Sequence, residues 1–202
     1  MNKKIILIGG APTTGKSTLA QQVARHFDLP WVSTDQIRNT MRVTASRQDY
    51  PNLFNPKGYS AERLLTEFSA EEIVDIEFRQ SEAAWLGISA FIKNDYRWTN
   101  GFVVEGINVL PHLVRQDFAD NDGIRAAFLV DRDEARTRKV IYERGLCDDV
   151  DKYPDSAKEK EVEWVTLFCH SLEREAAHYG YPVIDVDKTN DDLARLISVL
   201  KL

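Results

Sequence analysis

Apolar positions fall along the chain in two rhythms. Short, nearly unbroken runs, Ile5-Ile6-Leu7-Ile8, Phe102-Val103-Val104 and Val183-Ile184, are bounded by glycine, proline or aspartate and predict buried strands. The spacing predicts strands at residues 4–8, 31–33, 101–106, 124–130 and 183–186. Between them the apolar positions recur at three and four, as in Leu19, Val23, Ala24 and Phe27, and predict helices. These cover residues 15–27, 36–42, 111–118, 133–144, 156–179 and 191–200, the last capped by Asn190. Ser60-Ala61-Glu62-Arg63 and Ser69-Ala70-Glu71-Glu72 both read as helix starts, the second as a capping box. The second of these helices runs to about residue 95 on a stripe of Ile73, Ile76, Ala84, Ile88, Phe91 and Ile92 that Gln80 interrupts. Residues 44–59 carry Pro51, Asn52, Asn55, Pro56 and Gly58 and predict irregular backbone, either a solvated surface loop or one that covers a substrate.

Five apolar strands alternating with helices imply an α/β fold with a parallel sheet covered on both faces. In such sheets ligands sit beyond the carboxyl ends of the strands. The first of those ends carries Gly9-Gly10-Ala11-Pro12-Thr13-Thr14-Gly15-Lys16-Ser17-Thr18, in which Gly10, Gly15, Lys16 and Ser17 match G-x-x-x-x-G-K-[ST]. Strand, glycine loop and helix in that order are the P-loop of a nucleoside triphosphatase fold. Residues 10–18 are thus the candidate nucleotide-binding set. Glycine lets the backbone N–H groups gather around an anion, and the following helix adds its positive end. Lys16 reaches the β- and γ-phosphates, and Ser17 is a ligand for Mg²⁺.

Composition narrows the partners. The 202 residues suffice for one domain spanning 1–202, with a helical insertion at about 35–98 and a lid at about 132–155. Hydrophobic residues at 43% and charged residues at 29% are ordinary for a globular chain. A net charge of −6 argues against a nucleic-acid partner, which wants a basic stripe. Cys147 and Cys169 form no C-x-x-C pair, which argues against zinc and a disulfide framework. The apolar start is too short for a signal peptide or membrane span, so a cytoplasmic monomer or homodimer with no membrane partner is expected.

Phosphoryl transfer also needs a group that deprotonates or orients the acceptor, and Asp35, Glu105 and Asp131 lie at strand ends. Asp35 suits either a general base or the N-cap of the helix after it. Arg38 and Arg42 share a face of that helix, suited to gripping an anionic acceptor or to facing solvent. Glu105, followed by Gly106, suits a water on Mg²⁺, the acceptor, or a bond to the loop. Arg136, Arg138, Lys139 and Arg144 make one side of the 133–144 helix basic. Such a segment suits a lid that brings positive charge to the transferring phosphoryl group, with Arg138 as the catalytic candidate beside Lys16 and Asp35. Lys188 and Thr189 are weaker candidates for bordering an adenine.

The loop at 9–18, followed by Ser33-Thr34-Asp35-Gln36-Ile37-Arg38 and Met41-Arg42, resembles the 2-phosphoglycerate kinases and their P-loop kinase relatives. Arg79-Gln80-Ser81 with Gly87-Ile88 is similar to that family's helix before the third strand. Val104-Glu105-Gly106-Ile107-Asn108-Val109-Leu110-Pro111 resembles its third-strand signature, with Asn108 where the family usually carries histidine. The resemblance implies an adenylate-kinase-like five-stranded sheet, ATP with Mg²⁺, and an acceptor site near Asp35, Arg38, Gln80 and Glu105. The expected activity is transfer of the γ-phosphoryl group of ATP to a small anionic metabolite such as 2-phosphoglycerate. A toxin-like or antibiotic-modifying kinase, or a nucleotide-dependent regulatory protein without an acceptor, are the competing readings.

Overall fold

The computed structural model describes residues 3–94, 98, 100–144, 153–187, 189 and 191–201. Cys147, Lys188, Asn190 and residues 145–152 of the expected lid lie outside the described residues.

Five strands form one sheet: β1 Lys4–Gly10, β2 Trp31–Ser33, β3 Gly101–Gly106, β4 Ile124–Val130 and β5 Val183–Asp185. Their order is β2-β3-β1-β4-β5, and every pair is parallel. β1 extends two residues beyond the expected strand, because Gly9 and Gly10 stay in register with Gly106 and Leu129 before the chain turns into the loop.

Among the described residues, seven α-helices connect the strands and an eighth follows the last: α1 Lys16–Phe27, α2 Thr34–Thr44, α3 Ala61–Glu67, α4 Ala70–Lys93, α5 Pro111–Phe118, α6 Glu134–Arg144, α7 Asp155–Tyr179 and α8 Asp191–Leu200. Ser60 caps α3. α4 begins on the anticipated capping box, in which the Ser69 N–H donates to Glu72 Oε2 at 2.8 Å and the Glu72 N–H to Ser69 Oγ at 3.2 Å. α7 ends at Gly180, whose positive φ of 74° closes the last turn.

Alternation along the strands feeds two cores. Ile6, Ile8, Val103, Ala127 and Leu129 face α1 and α8 through Leu19, Val23, Leu196 and Leu200. Ile5, Leu7, Phe102, Val104 and Phe128 face the other way, toward Trp85 and Ile88 of α4 and Phe168 and Leu172 of α7. The segment between α2 and α3 is not a free loop. It contains 3₁₀ turns at Pro51–Leu53 and Pro56–Gly58, and Leu53 is fully buried in the larger core. No helix among the described residues is long and apolar enough to cross a membrane.

Candidate active site

Parallel pairing brings the ends of β2, β3 and β1 side by side, with Ser33 opposite Glu105 and Glu105 opposite Ile8. The P-loop leaves β1 at that edge. Thr14 Oγ1 donates to the Ala11 carbonyl at 2.9 Å and pins the loop from inside. Gly15, at φ 77°, caps α1 without any side-chain bond to the helix start, so the first-turn N–H groups face outward. A Cβ at Gly15 would meet nothing within 4 Å; glycine is needed there for its left-handed backbone and not for space.

Lys16 Nζ lies in the loop's hollow, donating to the Ala11 carbonyl at 3.4 Å. Burial lowers its pKa, opposed by the charges of Glu105 and Asp35. Ser17 Oγ donates to Glu105 Oε1 at 3.1 Å, joining the first turn of α1 to the end of β3. Burial raises the pKa of Glu105, opposed by Lys16 and by the hydroxyls of Ser17 and Ser33. Glu105 Oε2 and Thr13 Oγ1 are buried with no hydrogen-bond partner in the protein. Orphaned oxygens beside a half-buried lysine and a serine hydroxyl suit a hard cation with its waters and a phosphate chain, so these residues fit Mg²⁺ and a nucleotide.

The cleft in front of the loop holds about 350 Å³. Asp35 and Arg38, one turn apart on α2, line it, with Arg38 Nη2 donating to Asp35 Oδ1 at 2.9 Å. Ser33 caps that helix by accepting from the Asp35 N–H at 3.3 Å, which leaves the half-exposed Asp35 carboxylate for the cleft. Arg38 Nη1 also stands 3.8 Å from Glu77 Oε2 on α4, and burial raises the pKa of Glu77 against the pull of Arg38. Leu64 and Leu65 of α3, Ile73 of α4 and Trp164 of α7 form an apolar wall. Glu161 of α7, only 4% exposed, adds a carboxyl whose pKa burial pushes up to about 7, with Lys158 pulling the other way.

Several expected contacts lie elsewhere. Of the lid arginines, Arg144 lines the cleft and the hollow over Lys16 and Thr18, whereas Arg136 and Arg138 line neither. Arg136 is fastened to Asp131, with Nη2 to Oδ1 at 2.7 Å and Nε to Oδ2 at 3.0 Å, and it also donates to the Val186 carbonyl. That pairing makes Asp131 a strand-end anchor. Arg138 is held by Glu134 on its own helix and Glu159 on α7, away from the loop. Gln80 and Arg42 were expected at the acceptor. Instead Arg42 Nη2 donates to Gln80 Oε1 at 2.7 Å, Arg42 Nε to the Leu53 carbonyl at 2.6 Å, and Gln80 Nε2 to Asn55 Oδ1 at 3.0 Å. The two side chains tie the segment after α2 to α4 outside the cleft. Gly106 serves packing: its φ is 153°, and a Cβ there would fall 1.7 Å from Thr34 Oγ1.

Glu77, Glu161 and Trp164 were not anticipated. Glu161 had a legible signal, since it sits in the buried stripe of α7 between Ala157 and Trp164, as Gln80 does in α4.

No family model matches the chain. It is 25% identical over 197 residues to the 2-phosphoglycerate kinase of Methanocaldococcus jannaschii, covering 97% of this chain and 62% of that protein. The 2-phosphoglycerate kinase of Methanothermobacter thermautotrophicus is 28% identical, with 96% and 65% covered. The chain therefore spans less than two thirds of the length of these curated relatives. A gluconokinase from Sinorhizobium meliloti superposes with a TM-score of 0.53 at 14% identity, covering 99% of this chain and 95% of its own. A shikimate kinase from Bacteroides thetaiotaomicron gives 0.52 at 14%, covering 98% and 99%. In sequence the chain is similar to the 2-phosphoglycerate kinases, and its fold is the one seen in these small-molecule kinases.

Proposed function

We propose that this protein transfers the γ-phosphoryl group of ATP to a hydroxyl of a small anionic metabolite, with 2-phosphoglycerate, the acceptor in its relatives' name, as the first candidate. The observation that carries the reading is the Asp35–Arg38 pair, which lines the same cleft as Lys16 and Ser17. A switch protein needs no acceptor pocket beside its phosphate loop, whereas this pair borders a cleft large enough for a second small molecule.

On this reading the P-loop N–H groups and Lys16 hold the donor phosphates still. Ser17 and Glu105 would hold Mg²⁺, and the ion would supply charge neutralisation on the phosphate oxygens. Arg38 grips the acceptor's anionic group, and Asp35 accepts the proton that its hydroxyl loses as the new O–P bond forms. The bond from the γ-phosphorus to the bridging oxygen breaks, and ADP leaves. Arg144 counters the charge spread over the equatorial oxygens. The helical segment 35–98 carries the acceptor, and 132–155 acts as the lid.

The test is ADP release in the presence of ATP–Mg²⁺ and a panel of phosphorylated acids, sugar acids and nucleosides. Acceptor-dependent release with one anionic compound is expected; its absence across the panel would sink the acceptor class. The apolar wall of Leu64, Leu65, Ile73 and Trp164 favours a second reading, in which the acceptor is a hydroxylated drug-like molecule with an apolar body. Phenylpropanoid antibiotics in the same panel separate the two.

A further inference from the structure

The segment between α2 and α3 forms a second hollow, of about 410 Å³, against α4. Arg47, Lys57 and Arg79 line it with the amides of Asn52, Asn55 and Gln80, and no aspartate or glutamate does. This collects three positive charges in a chain of net charge −6. Among the described residues none of the three has a carboxylate within ion-pair distance.

The hollow is built, not incidental. Arg47 Nη1 donates to the Asn55 carbonyl at 2.8 Å, and its guanidinium lies 4.6 Å from the centre of the Phe54 ring. Asn55 Nδ2 donates to the Tyr59 carbonyl at 2.9 Å, and its Oδ1 accepts from Gln80, which is 2% exposed. Lys57 takes a left-handed φ of 49°, a conformation disfavoured for a side-chain-bearing residue. Glu67 acts on Lys57 only through its charge at longer range, so the three cations have no ion-pair partner at contact distance, and an oxyanion between them relieves their mutual repulsion.

We propose that this hollow binds a small, multiply charged oxyanion, a phosphate or a polycarboxylate, at a site separate from the transfer cleft. It shares no lining residue with that cleft. It is joined to α2 through Gln80 and Arg42, so an anion bound there holds the segment 45–59 against the helix that presents Asp35 and Arg38.

Inorganic phosphate and citrate, each titrated at constant ionic strength into the full chain, test this through the side-chain amide NMR signals of Asn52, Asn55 and Gln80. These signals should move saturably with one anion or both, and the better binder identifies the ligand chemistry. The pair K57Q/R79Q, or R79Q alone on the exposed face of α4, should weaken that binding by about tenfold or more, as expected for lost charge-assisted bonds. The pair K16A/R38Q, which blinds the P-loop and the cleft, should leave it intact. Anion binding abolished by K16A/R38Q and indifferent to K57Q/R79Q would overturn the proposal. So would amide signals that do not move at tens of millimolar anion.

Discussion

Ser17 Oγ donates to Glu105 Oε1 at 3.1 Å, although 88 residues separate the two in the chain. The bond links the loop that holds phosphates to the strand that carries the acid, and it leaves Glu105 Oε2 buried without a partner. On the proposed reading, that oxygen is where a cation would bind.

Removing that charge separates metal binding from phosphate binding. Glu105→Gln keeps the shape and the bond to Ser17 but loses the anion beside Lys16. Thermal shift with ATP should lose most of its Mg²⁺ dependence, with metal affinity down by about tenfold or more. An unchanged Mg²⁺ dependence would place the cation elsewhere. Lys16→Ala should abolish the shift with or without the metal.

Asp35→Asn isolates the proton acceptor. The amide keeps the size but cannot take a proton, so acceptor-dependent turnover should fall by roughly 10²–10⁴-fold. The ATP-induced thermal shift should persist, because the proposed reading puts Asp35 with the acceptor and not with the donor phosphates. Turnover within a factor of two of the parent would remove Asp35 from the chemistry.

Glu161 makes stability depend on pH. Its pKa rises from 4.5 unfolded to about 7 folded, so the native state holds more protons between those values. Stability from this group is complete below about pH 4.5 and is lost as pH rises through 7. Glu161→Gln removes the dependence. The variant should match the parent near pH 4 and gain on the order of 2 kcal/mol at pH 8, measured by urea unfolding. A variant that is no more stable at pH 8 would mean that the carboxyl is not held in a poorly solvated site.

Gly106→Ala tests the contact at the end of β3. A methyl group would overlap Thr34 Oγ1, and the left-handed φ of 153° resists any side chain. A loss of about 2 kcal/mol or more in urea unfolding is expected. Because Thr34 opens the helix carrying Asp35, acceptor KM should rise more than ATP KM changes.

Most of the framework was legible because its signals are local. The ends of β3, β4, α5 and α8 fall where the periodicity places them, and Ser60 and Ser69 cap the helices that their spacing announced. The relatives and the superposed kinases agree with the resemblance seen in the motifs. Gln80 shows where local reading stops. A polar residue in an apolar stripe announces a buried partner but does not name it, and the partners are Arg42 and Asn55, brought by a segment without periodicity. The arginines of α6 looked alike in sequence, yet only Arg144 reaches the cleft. Arg136 meets Asp131 at the end of β4, and Arg138 meets Glu159 across α7.

Local spacing along the chain sets the alternation of strands and helices, the glycine loop after β1 and the acids at the strand ends. Each rests on spacing within a few residues, where backbone geometry converts sequence directly into structure. What surrounds them comes from long-range packing. The sheet order put β3 beside β1 and Glu105 against Ser17, and the return of α7 brought Glu161 and Trp164 to the cleft. Crossover connections permit several orders for the same five strands, so contacts between distant elements follow from how whole faces pack and not from any local pattern.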